Sequence, residues 1–157
     1  MTLQIRQATL EDIPTLLDFE QGVIKAERPF NPTIQEGDIH YYNLKSLITD
    51  DNSVLLVGEL NGELVASGYA RILPDRHYLK HQYQGYLGFM FVPEEHRGQG
   101  FNKTIIDALI AWCKEREVYE IRLDVYPENI PAINAYVKAG FKKYMLAMRL
   151  DSRELNN

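Results

Sequence analysis

Residues 97–103 read Arg-Gly-Gln-Gly-Phe-Asn-Lys, a basic turn with two glycines set between two apolar stretches. Before it runs Phe89-Met90-Phe91-Val92, rich in β-formers and closed by Pro93. After it, Ile105, Leu109 and Trp112 recur on one helical stripe, with Ile106, Ile110 and Cys113 beside it. A strand, a glycine turn and a helix in that order aim several backbone N–H groups at one spot, where the helix dipole adds positive charge. The chemistry on offer is the cradling of a phosphate. Two familiar cradles fail on spacing: a dinucleotide fingerprint needs glycine where Lys103 stands, and a P-loop needs glycine at Asn102, with Gly98 one residue too close. Taken alone, the turn is equally an ordinary strand-to-helix connection.

A second constellation follows. Ile121-Arg122-Leu123-Asp124-Val125 alternates like a strand, and residues 129–141 read Asn-Ile-Pro-Ala-Ile-Asn-Ala-Tyr-Val-Lys-Ala-Gly-Phe. On these residues the chain resembles the GCN5-related N-acetyltransferase (GNAT) superfamily. The family's motif Gln/Arg-x-x-Gly-x-Gly/Ala matches Arg97 and Gly100, with Asn102 in the last position; Asn-x-x-Ala-x-x-x-Tyr-x-x-x-Gly-Phe matches Asn129, Ala132, Tyr136, Gly140 and Phe141.

The resemblance implies a GNAT fold of the α/β (α+β) class. Its central sheet is mixed but mostly antiparallel, splayed between the fourth and fifth strands and flanked by about four helices. Acetyl-CoA is the implied co-substrate, with no metal. Met90, Phe91 and Val92 would run along its pantetheine arm through backbone groups. Gly98, Gln99, Gly100, Phe101, Asn102 and Lys103 would hold the pyrophosphate through main-chain N–H groups, with Arg97 adding charge. Lys103 also reads as a plain solvated cation. Asn129 would bond the cofactor arm while capping a helix. Tyr136 is the implied acid for the departing thiolate, against the alternative of a tyrosine packing a helix face. Asp124, twelve residues before Tyr136, stands where some relatives keep a basic glutamate; a strand-edge aspartate paired with Arg122 or Lys142 is the alternative. The acceptor would meet Glu27, Phe30 and Tyr83, with Tyr41, Tyr42 and Tyr86 nearby.

These residues need elements to position them. Leu3–Ala8 alternates as a first strand, and Thr9 caps a helix that holds Pro14 in its first turn and runs to about Glu27. Arg28-Pro29-Phe30-Asn31-Pro32 breaks it, and a shorter helix is predicted over Asp38–Ile48. Ser53–Leu60 and Glu63–Leu73 read as a hairpin about Asn61-Gly62. Pro74–Gln84 reads as a surface loop, with surface roles for His77 and His81. Then come the central strand, the long helix, a strand over Glu120–Tyr126, a helix over Ile130–Ala139 and a last strand over Lys143–Leu150. The family's final two-strand hairpin is therefore shortened, and residues 151–157 form a frayed tail.

The chain's 157 residues fit one domain, 1–157, and its 45% hydrophobic and 25% charged composition is ordinary for a globular protein. Net charge is −5 without a basic tract, which argues against nucleic acid and suits a cationic amine. Cys113, the single cysteine, reads as core, and no His/Cys/Asp spacing suggests a metal. No signal peptide or membrane span is legible, which predicts a cytoplasmic protein with no membrane partner. The leading reading is an acetyl-CoA-dependent N-acetyltransferase acting by direct transfer on a small-molecule or peptide amine, with a homodimer open. A non-catalytic acyl-CoA-binding module of the same fold and a nucleotide-binding module are the alternatives.

Overall fold

Asn61 and Gly62 take φ of 54° and 81°, so their turn twists with the strands it joins, β2 (Ser53–Leu60) and β3 (Glu63–Pro74). These lie inside a five-stranded sheet in the order β1-β2-β3-β4-β5, with β1 at Gln4–Gln7, β4 at Tyr83–Phe91 and β5 at Ile121–Arg122. Every pairing is antiparallel except β4 with β5, the mixed sheet the sequence predicts. The computed structural model describes residues 2–155, which divide after Tyr126 into two compact units.

In the first unit, α1 (Ile13–Glu27) and α2 (Leu44–Thr49) cover one face of the sheet. Leu16, Phe19, Leu44, Leu47, Leu55, Val57 and Phe89 form the core there. The second face lies under α3 (Phe101–Glu115), whose Ile105 and Leu109 reach down to Gly68 of β3. Leu16 and Leu109 have no exposed surface, and such burial is worth about 1.5–3 kcal/mol per leucine. Cys113 is buried in this layer, as the sequence predicts, and burial pushes its thiol up to about 11.

The register of β4 slips near its end. Tyr69 faces Gly88 and Ser67 faces Phe91, so Phe89 and Met90 together oppose Gly68 alone. This is a β-bulge, and Phe89 takes a left-handed φ of 57° to form it. The buried Ser67 hydroxyl donates to the Phe89 carbonyl at 2.9 Å, satisfying a group the ladder drops. The extra residue also turns Phe89 onto the α1/α2 face, where it stacks on Tyr42 at 4.6 Å.

Three sequence expectations change in this unit. The strand predicted over Glu120–Tyr126 contracts to Ile121–Arg122, which pairs only with Gly85 and Tyr86. The β4 bulge at Phe89 and Met90 lies three residues beyond Tyr86, so the edge of β4 offers little regular length for a parallel ladder to follow. The helix predicted from Asp38 starts at Leu44, because Tyr41 and Tyr42 give their N–H groups elsewhere. Those of Tyr41 and Tyr42 bond the Glu20 carboxylate at 2.9 and 2.8 Å, and Asn43 then caps α2 by accepting from Ser46. His81, expected at the surface, is half-buried: it pairs at 2.6 Å with Asp75, which also holds Arg122 at 2.8 Å.

The second unit is built on α4 (Ile130–Lys138), with Asn129 as its cap and Pro131 in its first turn. Phe141 N–H bonds the Tyr136 carbonyl and Gly140 N–H the Val137 carbonyl, both at 3.0 Å, while Gly140 holds φ of 110°, a Schellman ending. The strand predicted over Lys143–Leu150 is not formed. Its apolar side chains are exposed, Met148 at 88%. β-propensity makes a strand only where another strand supplies the second half of the ladder. Ser152–Glu154 forms a 3-10 turn, and the tail predicted to residue 157 passes outside the described residues. Among the described residues no helix is long and apolar enough to cross a membrane.

Ser67→Ala removes the buried hydroxyl that donates to the bulge carbonyl. The expected cost is about 1–3 kcal/mol, read as a lower urea midpoint at unchanged m-value; an unshifted midpoint would refute it.

Candidate functional site

The glycine turn is placed by the two elements it joins. Gly98 and Gly100 both take φ of 80°, and Gly100 is the residue from which α3 departs. The left-handed backbone there favours glycine, and no atom lies within 4 Å of where a side chain would start. The turn is thus open to a ligand at its backbone. Thr104 closes it from within, its N–H and hydroxyl both donating to the Gly100 carbonyl at 3.2 and 3.1 Å. Arg97 ties the turn to the end of β4, its Nε donating to the Val92 carbonyl at 3.0 Å. Lys103 pairs along the helix with Asp107 at 2.7 Å, which favours its reading as a surface cation. Gln99 is exposed, and Phe101 and Asn102 are half-buried.

Beside the turn, β4 runs on past its last partner in β5. From Leu87 to Phe91 its outer edge carries no β5 pairing, so the sheet is split at the place the resemblance implies. Met90 faces α3, while Phe91 packs on Phe19 at 5.1 Å and sits over Gly22 of α1, where a methyl group would lie 2.5 Å from its ring.

On the α1 side of the split, six aromatic rings meet two carboxylates. Tyr86 of β4 donates to Asp124 at 3.0 Å. Tyr69 lies 6.4 Å from Tyr86, and Tyr42 lies 5.9 Å from Tyr69 and 5.7 Å from Tyr41. The Tyr41 hydroxyl is turned to Glu27 at the end of α1. Tyr126 stacks on Phe30 at 6.0 Å and accepts a bond from Asn31 at 3.0 Å. Burial raises the hydroxyls of Tyr41, Tyr42, Tyr69 and Tyr86, with Glu27 adding to the shift at Tyr41 and Asp124 at Tyr86, so all four stay protonated. Burial also raises the Glu27 carboxyl, against the opposing pull of Tyr41.

Of the predicted acceptor residues, Glu27 and Phe30 fall in this cluster. Tyr83 does not: strand alternation puts it on the α3 face, opposite Tyr86, with 47% exposure. Asp124 bonds Tyr86 rather than Arg122, which pairs with Asp75 and Glu120. Asn129 and Tyr136 belong to the second unit. There Asn129 accepts from Ala132 N–H, and half-buried Tyr136 meets Phe141 edge-on at 6.0 Å.

Sequence reasoning missed Tyr69, Tyr126, Asn31 and, above all, Glu20. Glu20 has no exposed surface, and it gathers the Tyr41 and Tyr42 N–H groups with the His40 ring at 2.6 Å. An acid four residues after Leu16, on the buried stripe of α1, was the signal available. Glu63, Glu95 and His96 also bring ligand atoms within 4.8 Å of one another, a grouping that spacing did not reveal, and both glutamates are exposed.

A family model for the acetyltransferase (GNAT) family matches residues 21–141. The chain belongs to this family. The GNAT chain is 38% identical over 50 residues to the streptothricin acetyltransferase of Escherichia coli, a match covering 32% of this chain and 29% of that protein. It is 27% identical to an N-alpha-acetyltransferase of Sulfurisphaera tokodaii, over 89% of this chain and 80% of the relative. In fold it is similar to a predicted acetyltransferase with acetyl-CoA from Clostridium acetobutylicum, with a TM-score of 0.73 at 19% identity, covering 99% of this chain and 100% of that one.

The Glu20–His40 pair makes the 39–43 loop of this GNAT chain pH-sensitive. The Glu20 bond raises the His40 pKa above its usual 6.5. That contribution is therefore full below about pH 6.5 and fades as pH rises through the raised folded value. His40→Gln is expected to flatten this part of the stability–pH curve, measured as Tm from pH 6 to 9; an unchanged slope would remove the pair from the account.

Proposed function

We propose that this GNAT chain moves an acetyl group from acetyl-CoA directly to a primary amine. The observation that carries the reading is the unpaired outer edge of β4, Leu87–Phe91, running toward the open glycine turn at Gly98 and Gly100. An extended amide-bearing arm can bond such an edge as a strand would, and the turn's N–H groups suit a pyrophosphate. The residues fit the co-substrate at both ends. Relatives named as a streptothricin acetyltransferase and an N-alpha-acetyltransferase support an amine acceptor, a small molecule or a peptide.

When bound, acetyl-CoA supplies a thioester carbon for the amine lone pair, with the C–S bond breaking as the C–N bond forms. The chain's residues manage charge and protons. A primary amine with pKa near ~10.4 is neutral in roughly one molecule per few thousand at pH 7, so a base assists. Asp124 takes that proton, directly or through a water, while Tyr86 fixes the carboxylate by its 3.0 Å bond. The Val92 N–H, just past the bulged end of β4, would meet the charge that builds on the carbonyl oxygen. Tyr136, assigned by its motif position, gives a proton to the departing thiolate, and Asn129 bonds the arm.

Binding is tested by thermal shift: acetyl-CoA should protect the wild type, and Gly100→Val should abolish protection while the protein stays folded. Full protection of the variant would end the turn's assignment. Chemistry is tested by thiol release against an amine panel. Asp124→Asn should lose rate mainly at lower pH, where the ammonium form dominates, and Tyr136→Phe should lower kcat by about a hundredfold with little change in acetyl-CoA affinity. An unchanged pH profile or a wild-type kcat would remove the respective role.

A further inference from the structure

We propose that the acceptor carries a second ammonium group besides the one acetylated, and that Glu27 holds it within the Tyr41–Tyr126–Phe30 aromatic wall. The inference rests on the acetyl-transfer reading above and names the acceptor's class: a small diamine or polyamine, or an amino sugar bearing several ammonium groups.

The argument begins with how the first unit treats its other sheltered carboxylates. Asp12 takes Arg6 at 2.8 Å, and Asp75 takes Arg122 at 2.8 Å and His81 at 2.6 Å. Glu20 takes His40 and two backbone N–H groups. Half-buried Glu27 differs, and so does its exposed neighbour Asp124. Among the described residues neither has a cation partner, and only tyrosine hydroxyls face them, Tyr41 at one and Tyr86 at the other. Asp124 accepts from the Tyr86 hydroxyl at 3.0 Å, and the Glu27 charge is also felt there.

The neighbouring cations do not fill the gap. Arg28 donates to the Gln35 and Gly37 carbonyls at 2.9 and 3.2 Å. Arg71 donates to Ser46 at 3.1 Å and lies 3.5 Å from Asp50. What remains facing the site is two carboxylates, neutral hydroxyls and ring faces, and ring faces attract cations. A half-buried carboxylate lacking a counter-charge is costly, and a ligand's ammonium relieves that cost. One ammonium can lose its proton to Asp124 and react. The other keeps its proton throughout and serves only to bind and orient. A phosphate or carboxylate on the acceptor would meet repulsion here.

The test compares kcat/KM by thiol release for four probes: a linear diamine or triamine, an amino sugar with several amines, a monoamine of matched length ending in hydroxyl, and the same monoamine ending in phosphate. The expected order puts the two polycations about tenfold or more above the hydroxyl monoamine, and the phosphate below it. Glu27→Gln should draw the polycation-to-monoamine ratio toward one, and Glu27→Lys should shift preference to the phosphate. Should either variant fold poorly, the wild type still decides: polycation kcat/KM must fall more steeply with ionic strength than monoamine kcat/KM. Equal kcat/KM for polycations and monoamine, or a ratio that survives Glu27→Gln, would overturn the inference. Acetyl-CoA protection and monoamine turnover in the wild type separate the two levels. If both are present without charge preference, only this inference falls; if both are absent, the acetyl-transfer reading falls and takes it along.

Discussion

The backbone of Phe89 is the constraint on which the first unit depends. A non-glycine residue in the left-handed region costs roughly 1–2 kcal/mol, and Phe89 holds φ of 57° in the middle of a sheet. The Ser67 bond to its carbonyl and the stacked Tyr42 ring offset that cost. The geometry has two consequences. Phe89 and Phe91 both face α1 and α2, closing the core on that side. The bulge also interrupts β4 within the stretch Leu87–Phe91 that β5 leaves unpaired, beside the glycine turn.

The loop that faces the bulge is fixed by a different device. Glu20 sits inside α1 with its carboxylate fully buried, and its partners all come from residues 40–42. That one side chain replaces a helical turn with an extended segment and delivers Tyr41 to Glu27 and Tyr42 to Phe89. The aromatic wall at the split sheet thus depends on a fully buried carboxylate that holds Tyr41 and Tyr42 by their backbones. Breaking such a buried hydrogen-bonded set is costly, since each freed N–H would be left unsatisfied.

Charge partnering then sorts the acids by role. Asp12 and Asp75 have arginines and pin strands to loops; Glu20 has backbone donors and shapes one. Glu27 and Asp124 meet neutral hydroxyls, near the stretch of β4 that β5 leaves unpaired. The same residue type serves as staple or as site according to the donors it meets.

Much of this was legible in the sequence because it is local. Asn61-Gly62 specifies a hairpin by its own backbone preferences, Gly98 and Gly100 mark a left-handed turn, and the apolar stripe from Ile105 to Trp112 can be nothing but a buried helix face. Two spaced motifs placed the chain in its family before any coordinate did. What tertiary structure decided was every feature that needs two distant segments. Nothing local in Asp38–Asn43 tells of Glu20, so a helix was predicted where an extended loop stands. Nothing in Leu123–Tyr126 tells that the parallel ladder stops at Tyr86, short of the bulge at Phe89. Lys143–Leu150 has a strand's composition, yet a strand is a property of a pair, and composition speaks for one member only. Glu27 stood out as an acid near aromatics, but its want of a cation became visible only when Arg28 and Arg71 were seen bonded elsewhere.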